Sequence, residues 1–130
     1  MIRTISLFAL LTITLFSCKK DKEDHEDFSG SITVTAPLES STITGGSTFM
    51  VTGSIEGNTE MHGYMITVYN QNDQSIVYSN SLDAHSEEYT LNETVTHTLT
   101  AATPLKLVID VEVDHDGESM TKEVLFQYQP

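Results

Sequence analysis

The chain has 130 residues, enough for a single domain, and it carries 19 acidic side chains against 6 basic ones, a formal net charge of −13. This balance excludes a nucleic-acid-binding protein, because contact with a phosphate backbone needs a basic surface. A single cysteine excludes a disulfide framework and a four-cysteine zinc site.

Residues 1–17 have the features of an export signal. A short basic segment, Met1–Arg3, precedes a largely apolar run from Ile5 to Phe16, which is too short for the roughly 20 apolar residues that span a bilayer. The run ends at Leu15-Phe16-Ser17-Cys18, which resembles the bacterial lipobox. The resemblance implies cleavage before Cys18 and lipidation of that residue, so the membrane is an expected partner through the lipid anchor. The alternative is an ordinary secretory signal followed by a chance cysteine.

Residues 18–30 form the lipidated cysteine and a charged tether. Every position from 19 to 27 is charged except His25, so this stretch has no apolar side chain to bury. Lipoproteins of the Bacteroidetes carry lysine and acidic residues after the lipid-bearing cysteine as a surface-export signal, and Lys22-Glu23-Asp24 resembles that pattern several residues further along. We therefore predict an outer-membrane lipoprotein of the cell envelope, on either the periplasmic or the surface-exposed face. A plain hydrophilic spacer is the other interpretation of the tether.

Residues 31–130 alternate apolar and polar side chains in short runs separated by turn residues, a pattern typical of an all-β domain. The clearest strand runs from Leu105 to Val113, where every odd-numbered position is apolar, so one face is expected to be buried and the other hydrated. Further strands are predicted at residues 32–36, 49–55, 62–69, 75–82, 89–99 and 120–128. About seven strands in this length predict an immunoglobulin-like or fibronectin-like antiparallel β-sandwich, with an open barrel as the alternative.

Four histidines lie within the predicted domain. If successive strands run antiparallel, His62 opens the third strand and His85 follows the fourth at the same end of the sandwich. His115 lies in the hairpin after the sixth strand, again at that end, whereas His97 lies toward the opposite end. The sequence therefore predicts that three of the four histidines share one end.

This grouping predicts a transition-metal site. Imidazole nitrogens and carboxylate oxygens are donors that Zn²⁺, Cu²⁺ or Ni²⁺ prefer, and three loops at one rigid end can place them about 2 Å from an ion. Met61 would add a sulfur donor for copper. The other interpretation is three solvated loop histidines, because no two of them have the short fixed spacing of metal motifs. The predicted ligands are His62, His85, His115, Asp83 and Asp114.

Three short segments carry a further resemblance. Met61-His62-Gly63-Tyr64, Asp83-Ala84-His85 and Asp114-His115-Asp116-Gly117 resemble small Bacteroidetes lipoproteins with an immunoglobulin-like domain of unknown function, in which a histidine opens the third strand, a His-Ala-His element follows, and an Asp-His-x-Gly hairpin closes the set. The resemblance covers residues 32–130. It implies that the three histidines are the corresponding positions, with an aspartate in place of the first histidine of the middle element. No activity is implied.

Motifs of common enzymes are missing from the sequence. There is no Gly-x-Ser-x-Gly elbow, and Gly45-Gly46-Ser47 lacks the lysine of a phosphate-binding loop. We therefore predict a non-enzymatic, membrane-anchored, immunoglobulin-like binding module with a transition-metal site. The alternative is a scaffold protein that binds another envelope protein or a glycan and in which the histidines are incidental.

Overall fold

A computed structural model describes residues 27–114 and 117–130 of the chain. The export signal, Cys18 and His115 lie outside these ranges. Within them the chain forms six strands, with no helix long and apolar enough to cross a membrane. The strands are β1 (Gly30–Ala36), β2 (Thr42–Thr44), β3 (Thr48–Asn70), β4 (Ile76–Thr96), β5 (Thr103–Glu112) and β6 (Ser119–Gln129). The prediction of an all-β fold is confirmed.

The long strands β3 and β4 each contribute to both layers of the sandwich. In the first layer, the amino-terminal half of β3 pairs with β1 and with the carboxy-terminal half of β4. In the second layer, the other half of β3 lies between β5 and the first half of β4, and β5 pairs with β6. The short β2 runs parallel to β6 and completes the second layer. All other pairings are antiparallel, as predicted for a fibronectin-like sandwich.

The predicted strands differ from the structure at three places. The short β2 lies where no strand was predicted. The second and third predicted strands are one strand, β3, and the fourth and fifth are one strand, β4. The ladder does not end between the predicted strands 49–55 and 62–69, because the chain changes layers there through shifts of register between Glu56 and Gly63. The two predicted strands are therefore joined by irregular pairing of β3 with β4 and not by a loop.

The core lies between the two layers and is built by alternate positions of each strand. In β5 the predicted inward positions Leu105, Leu107, Ile109 and Val111 are each 0% exposed. They pack in one cluster with side chains of β3, β4 and β6, among them Val51, Ile55, Leu91, Val124 and Phe126. Burying one such side chain stabilises the fold by roughly 1.5–3 kcal/mol, so the sandwich holds together by packing.

One end of the sandwich, which we call the histidine end, contains three chain segments. These are residues 57–63 of β3, residues 83–88 of β4 and the hairpin between β5 and β6. The start of β1 lies there too, because Gly30 pairs with Gly57 and the Asn58 N–H donates to the Ser29 carbonyl over 2.9 Å. The opposite end contains the turn between β3 and β4 and the carboxy terminus.

Candidate functional site

His62 and His85 meet at the histidine end. Their ring centroids are 4.4 Å apart and the ring planes are inclined by 35°. The two residues lie on the neighbouring strands β3 and β4, where the register shifts between the pairs Met61–Ser86 and Gly63–Asp83. The structure thus brings together two of the predicted metal ligands that are distant in sequence.

Tyr89 contacts the backbone of both strands that carry this histidine pair. Its hydroxyl lies 3.0 Å from the carbonyl oxygen of Met61 and close to that of Ala84, the residues that precede His62 and His85. The ring is 7% exposed and contacts Tyr64 edge-on, with centroids 5.3 Å apart. Burial is the main cause of the raised pKa of Tyr89. The hydroxyl of a buried, protonated tyrosine therefore holds together the segments of β3 and β4 that precede the two histidines.

Glu60 orients the His85 ring. The Nδ1 atom of His85 is 3.0 Å from Oε1 of Glu60, and both side chains are more than half exposed. An exposed pair of this kind adds at most about 1 kcal/mol to stability. Because a carboxylate only accepts hydrogen bonds, Nδ1 donates, and the Nε2 of a neutral ring then carries the lone pair. Histidines that bind metals commonly have such a carboxylate behind them.

Asp83 and Asp114 line an open cleft beside His62. The cleft has a volume of about 530 Å³ and lies where β4, β3, β5 and the following hairpin end. The Asp114 carboxylate accepts a hydrogen bond from the Glu118 N–H over 3.0 Å, which ties the hairpin together. His115 itself is outside the described residues, although Asp114 and Gly117 on either side of it line the cleft.

The described residues alone do not form a complete metal site. Among residues 27–114 and 117–130, no group of three or more His, Cys, Asp or Glu side chains is arranged to hold an ion. His62 and His85 supply two imidazoles, and the predicted third imidazole, His115, is not described. Met61 is 0% exposed and packs in the core, so the suggested sulfur donor does not reach the surface.

His97 lies at the other end and belongs to the core. It is 4% exposed and contacts the rings of Tyr128 and Phe49, with centroids 4.5 and 5.8 Å away. Its Nδ1 accepts a hydrogen bond from the Leu99 N–H over 3.2 Å. Burial lowers the pKa of His97.

Sequence reasoning missed a polar cluster at the open edge of the sandwich. The Tyr78 hydroxyl donates to the Glu93 carboxylate, and Asn80 Nδ2 donates to the same oxygen over 2.9 Å. The hydrogen bond to Glu93 is the main reason that the pKa of Tyr78 is raised to about 12. The cluster joins the two halves of β4. No local signal in the sequence indicates that the two halves of β4 lie close together.

Comparison with known proteins shows a likeness of fold. No protein-family model matches the chain, and a search of the curated proteins found no match. Among solved structures, the chain is similar to the fibronectin(III)-like modules of CbhA from Clostridium thermocellum, with a TM-score of 0.47 and 14% sequence identity. The alignment covers 76% of this chain and 96% of the module. At this identity the likeness concerns the fold alone.

Proposed function

We propose that the protein is a membrane-anchored lipoprotein of the cell envelope, lipidated at Cys18, whose sandwich is a non-enzymatic binding module for a transition-metal ion. The observation that carries the metal proposal is the contact between the His62 and His85 rings, with Glu60 hydrogen-bonded behind one of them. Two adjacent imidazoles, one exposed and one half-buried, in an acidic domain are suited to Zn²⁺, Cu²⁺ or Ni²⁺.

His115 is the proposed third imidazole, and Asp83 and Asp114 are the proposed carboxylate ligands. Support comes from the cleft, since His62, Asp83, Asp114 and Gly117 all line it. The hairpin segment that contains His115 therefore begins and ends at the same cleft as His62. An oxygen and nitrogen donor set of this composition favours a borderline metal ion over Ca²⁺ or Mg²⁺.

The path of the chain supports a site near the membrane. Asn58 Nδ2 donates to the Asp27 carbonyl oxygen over 3.3 Å, so the described chain begins at the histidine end. Cys18 precedes Asp27 by nine residues. Nine residues span at most about 32 Å even when fully extended. A lipid on Cys18 would therefore keep the histidine end within a short distance of the membrane surface.

Metal titration tests this function on residues 19–130, which contain every strand and the core of the described chain. Each of Zn²⁺, Cu²⁺ and Ni²⁺ is added in turn while the melting temperature is followed. A ligand present at 100 times its Kd stabilises the fold by about 2.7 kcal/mol, so a bound metal raises the melting temperature measurably. We expect His62→Ala, His85→Ala and His115→Ala to abolish the rise. We expect Glu60→Gln to weaken binding by about 10- to 100-fold.

Glu88→Gln is the matched control, because Glu88 is an exposed glutamate that lies opposite Glu56 in the first layer. If His62→Ala and His115→Ala retain the full rise, the proposed ligands are wrong. If no metal stabilises the wild-type chain, the metal function is rejected and a scaffold role is favoured.

The scaffold role has its own structural support. The first half of β4 is an edge of the second layer, and its side chains Ile76 and Leu82 are 62% and 43% exposed. An edge strand with exposed apolar side chains is suited to pairing with another polypeptide. Another envelope protein is therefore the proposed partner in this second candidate function.

A further inference from the structure

The cleft at the histidine end has an ordered arrangement of side chains on the outer face of the second layer. Asp83, Gly63, Glu112 and Ser119 are neighbours across β4, β3, β5 and β6. Two residues further along the strands, the next row consists of Ser81, Met65, Asp110 and Thr121. Directly paired residues project from the same face of a sheet, so both rows face outward.

The floor of the cleft is apolar. Gly63 has no side chain, which leaves a gap between Asp83 and Glu112 in the first row. Met65 occupies the centre of the second row and is 42% exposed, although it is a large apolar residue. A thioether is a flexible surface for packing against methylene groups. The cleft therefore offers an apolar surface next to negative charge.

The charges around this floor are all negative at neutral pH. No lysine or arginine of the described chain lines the cleft, whereas five carboxylates do. Asp110 accepts a hydrogen bond from the hydroxyl of Thr121 over 2.7 Å, a neutral donor that leaves the negative charge in place. Of the two lysines in the sandwich, Lys106 pairs with Glu123 over 3.4 Å, and Lys122 lines a separate cleft formed by β1 and β6. The lining carboxylates are Asp83, Asp110, Glu112, Asp114 and Glu118.

We propose that this cleft binds a lysine or arginine side chain presented by a basic, extended segment of a partner protein. Such a side chain has an apolar stem that would pack on Met65 and a cationic head that would reach Asp110 and Glu112. A volume of about 530 Å³ is far larger than a bare ion needs and suits a side chain with its neighbouring backbone. This site goes beyond the proposed metal function, since Met65, Asp110 and Glu112 are not proposed metal ligands.

Fluorescence anisotropy of a labelled peptide of alternating lysine and serine tests the proposal on residues 19–130. Asp110→Asn combined with Glu112→Gln should weaken peptide binding roughly three- to tenfold, because each ion pair near the surface contributes up to about 1 kcal/mol. Met65→Lys should abolish binding, because it places a cation inside the cleft. A peptide with acetylated lysines keeps the apolar stem and loses the charge, and we expect it not to bind.

The matched control is Glu56→Gln combined with Glu88→Gln. It also removes two negative charges, but from the outer face of the first layer. If this control weakens peptide binding as much as the cleft variant does, binding depends on the net charge of the domain and the proposal is wrong. If replacing Lys19, Lys20 and Lys22 by alanine strengthens peptide binding, the chain's own tether occupies the cleft and the assignment to a partner is overturned. The metal proposal is judged separately, because Asp110→Asn and Glu112→Gln should leave metal stabilisation unchanged.

Discussion

The surroundings of His97 oppose its protonation. It is buried among aromatic rings, its Nδ1 is used by the Leu99 N–H, and its buried Nε2 has no hydrogen-bond partner among the described residues. Protonation would place a positive charge in this apolar pocket, which is why burial lowers the pKa. The neutral ring therefore acts as a core side chain.

This position predicts a loss of stability in mild acid. The unfolded chain binds a proton at His97 near the ordinary pKa of about 6.5, whereas the folded chain resists it, so the unfolded state holds more protons just below that pH. The contribution of His97 is complete above about pH 6.5 and is lost as the pH falls toward its lower folded pKa. We expect the melting temperature of the wild-type chain to fall more steeply between about pH 7.5 and 5 than that of His97→Asn. Equal slopes would contradict this explanation.

At the scale of a strand, Gly63 lets β3 approach β4 beside the histidine pair. It has a φ of +145°, and a Cβ atom at this position would lie 2.2 Å from the Leu82 carbonyl oxygen. No backbone adjustment of a few tenths of an ångström relieves such a contact. The bulge that aligns His62 with His85 therefore depends on a glycine.

Gly63→Ala should destabilise the domain by about 2–4 kcal/mol, combining an unfavourable φ with a backbone clash. Chemical denaturation measures the loss. Gly45→Ala is the control, because Gly45 also has a positive φ of 69°, but a Cβ atom added there would meet nothing within 4 Å. It should cost only about 1–2 kcal/mol, from the φ alone. Equal losses at the two glycines would show that the approach to Leu82 does not matter.

At the scale of the whole molecule, self-repulsion opposes folding. The chain has 19 acidic and 6 basic residues, and some carboxylates lie directly opposite one another, as Glu56 and Glu88 do across β3 and β4. Like charges in opposed positions destabilise a sheet, and excess charge of one sign destabilises a compact state. Screening by salt should weaken both effects.

We expect the melting temperature to rise by about 4–8 °C, corresponding to about 1 kcal/mol, when sodium chloride is raised from about 20 to about 300 mM. Potassium chloride should act equally, which separates screening from specific ion binding. Glu56→Gln should show a smaller rise, because one opposed pair of charges is removed. A melting temperature that falls with salt would show that repulsion is not the main electrostatic effect on stability.

Several features of the candidate site could not be predicted from the sequence, for one physical reason. The ring contact between His62 and His85, the pairing of His85 with Glu60 and the grouping of carboxylates around the cleft all depend on which residues of separate strands lie opposite one another. A shift of one residue moves a side chain to the other face, and the register at the bend of β3 contains two such irregularities. Antiparallel order alone predicted a common end for these histidines, without predicting contact.

The sequence by itself determined the all-β class, the buried face of β5 and the strongly acidic surface. Alternation with a period of two specifies which side of a strand is apolar, and charge is additive over the chain, so neither property needs a partner strand. Only the tertiary structure decided that four of the predicted strands form the two continuous strands β3 and β4, that His97 is a core residue, and that an apolar, acid-lined cleft lies beside the histidine pair. Those outcomes depend on which strands pair and how the two layers pack, and both join residues that no local pattern relates.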